Sequence, residues 1–289
     1  MTAALRRPIW IPSQFLVGNT SLMWLLPGLA AIAVLFAWPI VNLLFVSLDV
    51  PAGTKSPYLA VLSEPIYLRV ISNTAVSSFG TTIFCLLVGY PTAYAIHVLP
   101  PPWRLIVLSS VLFSYAVGTM PRAFSWIVLL GDRGLVNQAL MQAFDLREPI
   151  QMLYNQKGVI IGMTHVMLPF MVLTLLGAMA RVPDRLVPAA RTLGAGPLRA
   201  FALVFLPLTM PGILAGMMMI FIYSLGFYVV PAVLGGAGQT TAVMILRDLT
   251  LGQGRWGIGA ALSITMIVIC VLGSAVYVAL ARIGEIEEH

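Results

Sequence analysis

The chain has 289 residues, 60% of them hydrophobic and only 9% charged, where an ordinary soluble domain carries about a quarter charged residues. So few charges cannot cover a soluble fold, and the long uncharged runs suit a hydrocarbon solvent. The net charge of +6 would suit nucleic acid, but the apolar bulk argues against it. The basic residues are mostly Arg, which fits phosphate headgroups at a membrane edge.

A spanning helix needs about 20 apolar residues. Six segments reach that length: 22–48, 70–98, 104–130, 158–180, 208–234 and 257–281. Arg6 and Arg7 precede a first run too long for a cleavable signal, so it is kept as a span. Pro39, Pro91, Pro121, Pro169, Gly216, Gly226 and Pro231 inside the segments predict kinked helices that pack on one another. Cys85 and Cys270 lie in apolar runs without the spacing of a metal site and read as small hydrophobes. The predicted fold class is an all-α integral membrane protein with six transmembrane helices, one domain over 1–289 and no internal repeat.

Six spans put both termini on one side. With cytoplasmic termini the inside holds Arg6, Arg7, Arg104, Arg181, Arg185, Arg191, Arg199 and Arg282, eight against seven basic residues outside. The positive-inside rule is nearly silent on those counts. The cluster at 181–207, four arginines against the single acid Asp184, places that segment and both termini in the cytoplasm. Segments 49–69, 131–157 and 235–256 become outer loops, rich in turn residues such as Gly131-Asp132-Arg133-Gly134.

None of the six spans contains Asp or Glu, so a proton-coupled carrier has little to work with. His165 is the one candidate near the interior of a span, His97 sits at a helix end, and a lone intramembrane His is more often a hydrogen-bonded packing group. A phosphate-binding P-loop needs Gly-x-x-x-x-Gly-Lys-Ser/Thr. Only Lys55 and Lys157 exist, with Thr54 and Asp49 where the glycines of the first would stand. ATP, if it drives this protein, is hydrolysed by another chain. No Gly-x-Ser-x-Gly elbow or paired catalytic constellation is present, so no enzyme activity is expected.

The most informative stretch is 181–216. Asp184 is placed to cap a short helix carrying Ala189 and Ala190, Gly194 to end it in the left-handed conformation, and Pro197 to open a second helix toward the membrane. Ala189, Ala190, Gly194, Val204, Leu206 and Pro207 stand at the spacing of the coupling loop of type I ABC importer permeases, a pattern that normally starts Glu-Ala-Ala. Here Pro188 replaces the Glu. The chain resembles that family and, within it, the spermidine/putrescine permease branch. Pro121-Arg122, Trp126, Gly134 and Asn137 resemble the branch's third helix. His165 with Leu168-Pro169-Phe170 resembles its fourth, and Ser224-Leu225-Gly226-Phe227 through Pro231 and Leu234-Gly235-Gly236 its fifth.

The resemblance implies a permease subunit in the bacterial inner membrane that moves a small organic solute, a polyamine or similar, delivered by a periplasmic binding protein. It implies a second, homologous but different permease chain and an ATPase dimer that binds ATP and Mg; this chain is expected to carry no cofactor or metal of its own. Pro188, Ala189, Ala190, Arg191, Gly194, Arg199 and Pro207 would form the ATPase contact. Arg122, Trp126, His165 and Phe227 would line the path or its outer gate. Arg122 is the lone charge inside a span, with two readings: snorkelling to the outer interface, or facing the path, where it would repel a cation and suit an anionic or zwitterionic solute. A secondary carrier or channel is the alternative.

Overall fold

The computed structural model describes residues 19–49 and 56–286, all in helices and short connections. Arg6, Arg7, Lys55 and both chain ends lie outside the described residues. Helix α1 (Asn19–Leu48) is followed by the short α2 (Pro57–Ser63) and the long α3 (Pro65–Val98). The Pro100–Pro102 triplet, unable to continue a helix, stops α3 and opens α4 (Pro101–Ala116). Then come α5 (Thr119–Leu130), α6 (Leu135–Phe144), α7 (Gln156–Met179), α8 (Leu186–Thr192), α9 (Pro197–Ala200), a π-turn at Phe201–Phe205, α10 (Leu206–Leu225), α11 (Val229–Leu234), α12 (Ala242–Arg247) and α13 (Trp256–Ile286).

Among the described residues five helices are long and apolar enough to cross a membrane: Leu25–Leu48, Pro65–Val98, Gln156–Met179, Pro197–Leu225 and Trp256–Ala279. The sixth expected span, 104–130, is broken. The axis turns by 101° between Pro101–Ala116 and the Thr119–Phe144 stretch. Pro121 has no N–H for the Val117 carbonyl four residues back, and its ring would collide with it, so the helix stops at Val117–Gly118 and restarts. The fifth span also differs from the expected 208–234. It starts at Pro197 and ends at Leu225; Pro231 stands in the same relation to Phe227, and 226–228 separate α10 from α11.

The core is the seam where α3, α7 and α10 meet. Met163, Met167, Met171, Leu175 and Met179 recur every fourth residue along one face of α7 and are fully buried. Small residues opposite let the helices close. A Cβ at Gly89 of α3 would lie 2.8 Å from Met171 Cγ, one at Gly216 of α10 2.8 Å from Met171 Sδ, and one at Gly212 2.1 Å from Ala178 Cβ. Met171 is thus wedged between two glycine notches, a use that suits its flexible chain. At the Gln156 end of the seam, Asn73 Nδ2 donates to the Gly238 carbonyl at 2.8 Å, Ala242 N–H to Thr74 Oγ1 at 2.8 Å, and Gln156 Nε2 to Ser77 Oγ at 3.0 Å. Asn137, fully buried, donates to the Gly131 and Ile150 carbonyls and accepts from Ile150 N–H. It ties down the 131–150 loop. Helix α1 stands apart, packed chiefly on α13, with Phe36 and Trp38 about 70% exposed.

Candidate functional site

Two assemblies carry the residues singled out in the sequence, one at the 181–207 end and one around Arg122 and His165. At the first, α8 ends in a Schellman turn: Gly194 takes φ +90, its N–H reaches the Arg191 carbonyl at 3.1 Å, and Ala195 N–H reaches the Ala190 carbonyl at 3.1 Å. Pro197 opens α9. Asp184 does not cap α8. The chain enters through helical-region Arg185 (φ −80, ψ −22), with Leu186 N–H on the Pro183 carbonyl, and this continuous turn denies Asp184 the extended geometry a cap requires.

No residue of α8 is buried, and Leu193 and Leu198 are 89% and 80% exposed. Pro188, Ala189, Arg191, Gly194, Arg199 and Pro207 are all exposed and Ala190 half-exposed. What anchors the segment is aromatic. Val187 shares a cleft of about 130 Å³ with Tyr94, His97, Val182 and Phe205. Phe205 stacks on Phe201 at 5.9 Å and meets Tyr94 edge-on at 5.3 Å, with His97 at 5.5 Å. Both phenylalanines sit in the π-turn, where Leu206 N–H reaches the Phe201 carbonyl. Tyr90 and Thr209 share a hydrogen bond at 2.9 Å. These contacts join the exposed segment to α3 and α10, the two sides of the Met171 wedge.

In the second assembly, Trp126 Nε1 donates to His165 Nδ1 at 3.1 Å. Indole nitrogen only donates, so Nδ1 accepts and the imidazole is the neutral Nε2–H form, which donates to Ser114 Oγ at 3.1 Å. Both ring nitrogens are spoken for, which suits packing and leaves no route for a proton. Arg122 does not snorkel. It is 6% exposed, with Nε on the Gly118 carbonyl at 3.5 Å and Nη1 buried without a partner.

Phe227 joins a different row. Tyr115 meets Phe170 edge-on at 5.2 Å, Phe170 meets Tyr223 at 5.7 Å, and Tyr223 meets Phe227 at 5.8 Å. Tyr115 and Tyr223 are each 51% exposed, so the row forms an aromatic wall across α4, α7 and α10 on the surface of the chain. Both tyrosines and His165 are within electrostatic range of Arg122. Tyr115, Tyr223 and Ser114 are not among the residues expected from the sequence. Their signal was position, just ahead of Gly118 and Gly226, where the helices break. Among the described residues no three His, Cys, Asp or Glu side chains converge to hold a metal.

A bundle of helices long and apolar enough to cross a membrane, with a bare two-helix segment at one end, fits a transport permease. The chain belongs to the family described as binding-protein-dependent transport system inner membrane component, which matches residues 1–282. It is an ABC importer permease component and not an enzyme. It is 33% identical over 260 residues to the spermidine/putrescine transport system permease protein PotB of Haemophilus influenzae, covering 85% of this chain and 91% of that one. The putative 2-aminoethylphosphonate transport system permease protein PhnU of Salmonella paratyphi A is 26% identical over 252 residues, 86% and 87% of the two chains. Among solved structures, a bacterial alginate ABC transporter in complex with alginate pentasaccharide-bound periplasmic protein aligns with TM-score 0.72 at 17% identity, over 91% of this chain and 94% of that one. The MetNI methionine ABC transporter aligns with TM-score 0.58 at 15% identity, over 80% and 99%.

Proposed function

We propose that this chain is one of two unlike permease subunits of an importer that passes a small organic solute of the polyamine class across the bacterial inner membrane. A periplasmic binding protein delivers the solute, and separate ATPase subunits, which bind ATP and Mg, drive the cycle. The observation that carries the reading is the bare 184–200 segment. Exposed leucines on a surface that faces water leave an apolar face that another protein covers, and four nearby arginines steer an acidic partner. Pro188, Ala189, Ala190, Arg191, Gly194, Arg199 and Pro207 lie on or beside that face. Pro188 in the Glu position leaves the face without its carboxylate, so docking rests on shape and on the arginines.

ATPase closure would push Val187 against Phe205 and, through Tyr94 and His97, tilt α3 and α10 about the Met171 wedge. This is a two-state element that nucleotide and loaded binding protein both bias. The polyamine reading is supported by the 33% identical relative and by the aromatic wall, whose π-faces attract amines. Phe227 stands in that wall; Trp126, His165 and Arg122 back it. Both termini are cytoplasmic in this arrangement, because they share a side with the 181–207 segment.

Tagging this chain in native membrane and assaying what copurifies tests the proposal. A P-loop ATPase should come with it and be lost in Gly194→Asp, since a side chain at φ +90 costs roughly 1–3 kcal/mol and disturbs the turn. A chain that transports its solute without any ATPase would overturn it.

A further inference from the structure

Helix α3 carries Tyr94 and His97 against the 181–207 segment at one end and starts beside Glu64 at the other. At that far end a cleft of about 640 Å³ opens between the end of α1, helix α2 and the start of α13, a size within the range of small-molecule sites. Its floor is apolar: Pro57 and Ala60 are buried, and a Cβ at Gly257 would stand 3.5 Å from both the Asp49 carbonyl oxygen and Pro57 Cγ. Beneath it Val61, Tyr67, Leu249, Ala261 and Leu262 form a core of their own, and Ser47 shares a hydrogen bond with Tyr58 at 2.7 Å. The walls carry both signs of charge, Asp49 after α1, Glu64 between α2 and α3, and Arg255 before α13. Tyr67 is within electrostatic range of both Glu64 and Arg255, yet among the described residues no ion pair joins the guanidinium to either carboxylate. The apolar spans Leu25–Leu48 and Trp256–Ala279 both end at this cleft, so it lies where hydrocarbon gives way to headgroups, with Trp256, 57% exposed, at the rim.

We infer that this cleft seats the headgroup of a zwitterionic phospholipid with a primary ammonium, of the phosphatidylethanolamine class. The occupant follows from the lining. Arg255 donates to the phosphate, which its planar fork matches. Asp49 and Glu64 accept from the ammonium, whose N–H groups set it apart from a trimethylated amine that has none to donate. Two carboxylates against one guanidinium leave the cleft net negative, which turns away a headgroup that carries phosphate alone. Trp256 packs at the level of the glycerol, where an amphipathic ring is favoured, and the acyl chains run down the apolar surface of α1 from Val46. Because α1 packs chiefly on α13, a lipid held here ties it to the α2 corner as well. The inference rests on the permease reading only for the side of the membrane, which makes this the outer leaflet.

The test is thermal unfolding of the complex purified from native membrane in detergent, with added phosphatidylethanolamine, phosphatidylcholine or phosphatidylglycerol of matched acyl chains. Phosphatidylethanolamine is expected to raise the wild-type midpoint by several degrees, phosphatidylcholine less than half as far, and phosphatidylglycerol least. In the double variant Asp49→Asn with Glu64→Gln the advantage of ethanolamine over choline disappears, and in Arg255→Gln the whole response to phosphatidylethanolamine falls several-fold. Both variants keep the wild-type midpoint before lipid is added, because Asp49 and Arg255 are exposed and the half-exposed Glu64 makes no side-chain cap on α3. Equal gains from all three lipids, or an ethanolamine preference that survives every substitution, would overturn the site. A lower midpoint of the lipid-free variants overturns it too, by assigning these side chains to packing. Loss of the phosphatidylethanolamine effect on adding free putrescine would make the cleft a site for a solute amine and not for lipid. Absence of a copurifying ATPase would undo the importer reading separately and leave the lipid titration interpretable.

Discussion

The α3–α7–α10 seam and the α8–α9 segment use small residues for opposite ends. In the seam, Gly89, Gly212 and Gly216 are small because a neighbour already occupies the space; a Cβ at Gly212 would meet Ala178 at 2.1 Å. In the segment, Ala189 and Gly194 are small although both are exposed, and among the described residues a Cβ at Gly194 would meet nothing within 4 Å. Smallness with a neighbour is packing. Smallness without one leaves room for a neighbour from another chain.

Substitutions should therefore separate the two regions by what they damage. The largest effect is expected of Gly212→Val, which forces α7 and α10 apart and should destabilise the chain by about 1–3 kcal/mol or more. The loss should appear as a lower unfolding midpoint and poor recovery from the membrane, and a variant of normal midpoint would break the account of the seam. Leu193→Ala, on the bare segment, should leave the midpoint in place. It should weaken ATPase retention about tenfold or more, read by pull-down, because exposed anchors that fill a partner's pocket carry 1–3 kcal/mol or more each.

Smaller and more selective, Val187→Ala thins the apolar plug between α8 and the Phe205 cluster. ATPase should still copurify while ATP-driven uptake in proteoliposomes falls several-fold, a split between docking and transmission that neither region shows alone. If uptake and docking fall together, Val187 is part of the docking face. The smallest expected change is Tyr90→Phe, which removes the bond shared with Thr209 at 2.9 Å. It should cost about 1 kcal/mol, visible as a modest midpoint shift with uptake little altered.

The run of six apolar segments, the left-handed Gly194 and the opening Pro197 are readable from composition and turn chemistry, because each depends on residues next to it in sequence. The breaks are not. Pro91, Pro169 and Pro211 lie within continuous helices, whereas the chain breaks ahead of Pro121 and Pro231. The residue is the same in all five, and glycines stand close to Pro91 and Pro211 as well; what differs is that α5 and α11, which follow the two breaks, pack side by side. Because the break in the third span was hidden, so was the fate of Arg122, whose carbonyl partner Gly118 stands where the helix restarts. Asp184 fails as a cap for a similar reason, since the turn through Pro183–Leu186 is set by packing of Val182 beneath it. The aromatic wall is assembled from three helices far apart in sequence, and no local signal lists its members together.

The most direct test of the account is photocrosslinking from the bare segment. In a Cys270→Ser background, with Cys85 already buried, Leu193→Cys is labelled with a maleimide benzophenone in native membranes and irradiated. Phe36→Cys, 71% exposed and on α1, serves as the control. Capture of a P-loop ATPase from Leu193→Cys and not from Phe36→Cys is the predicted result. Capture of lipid alone from both positions would contradict the claim that the 184–200 segment is where the driving subunit docks.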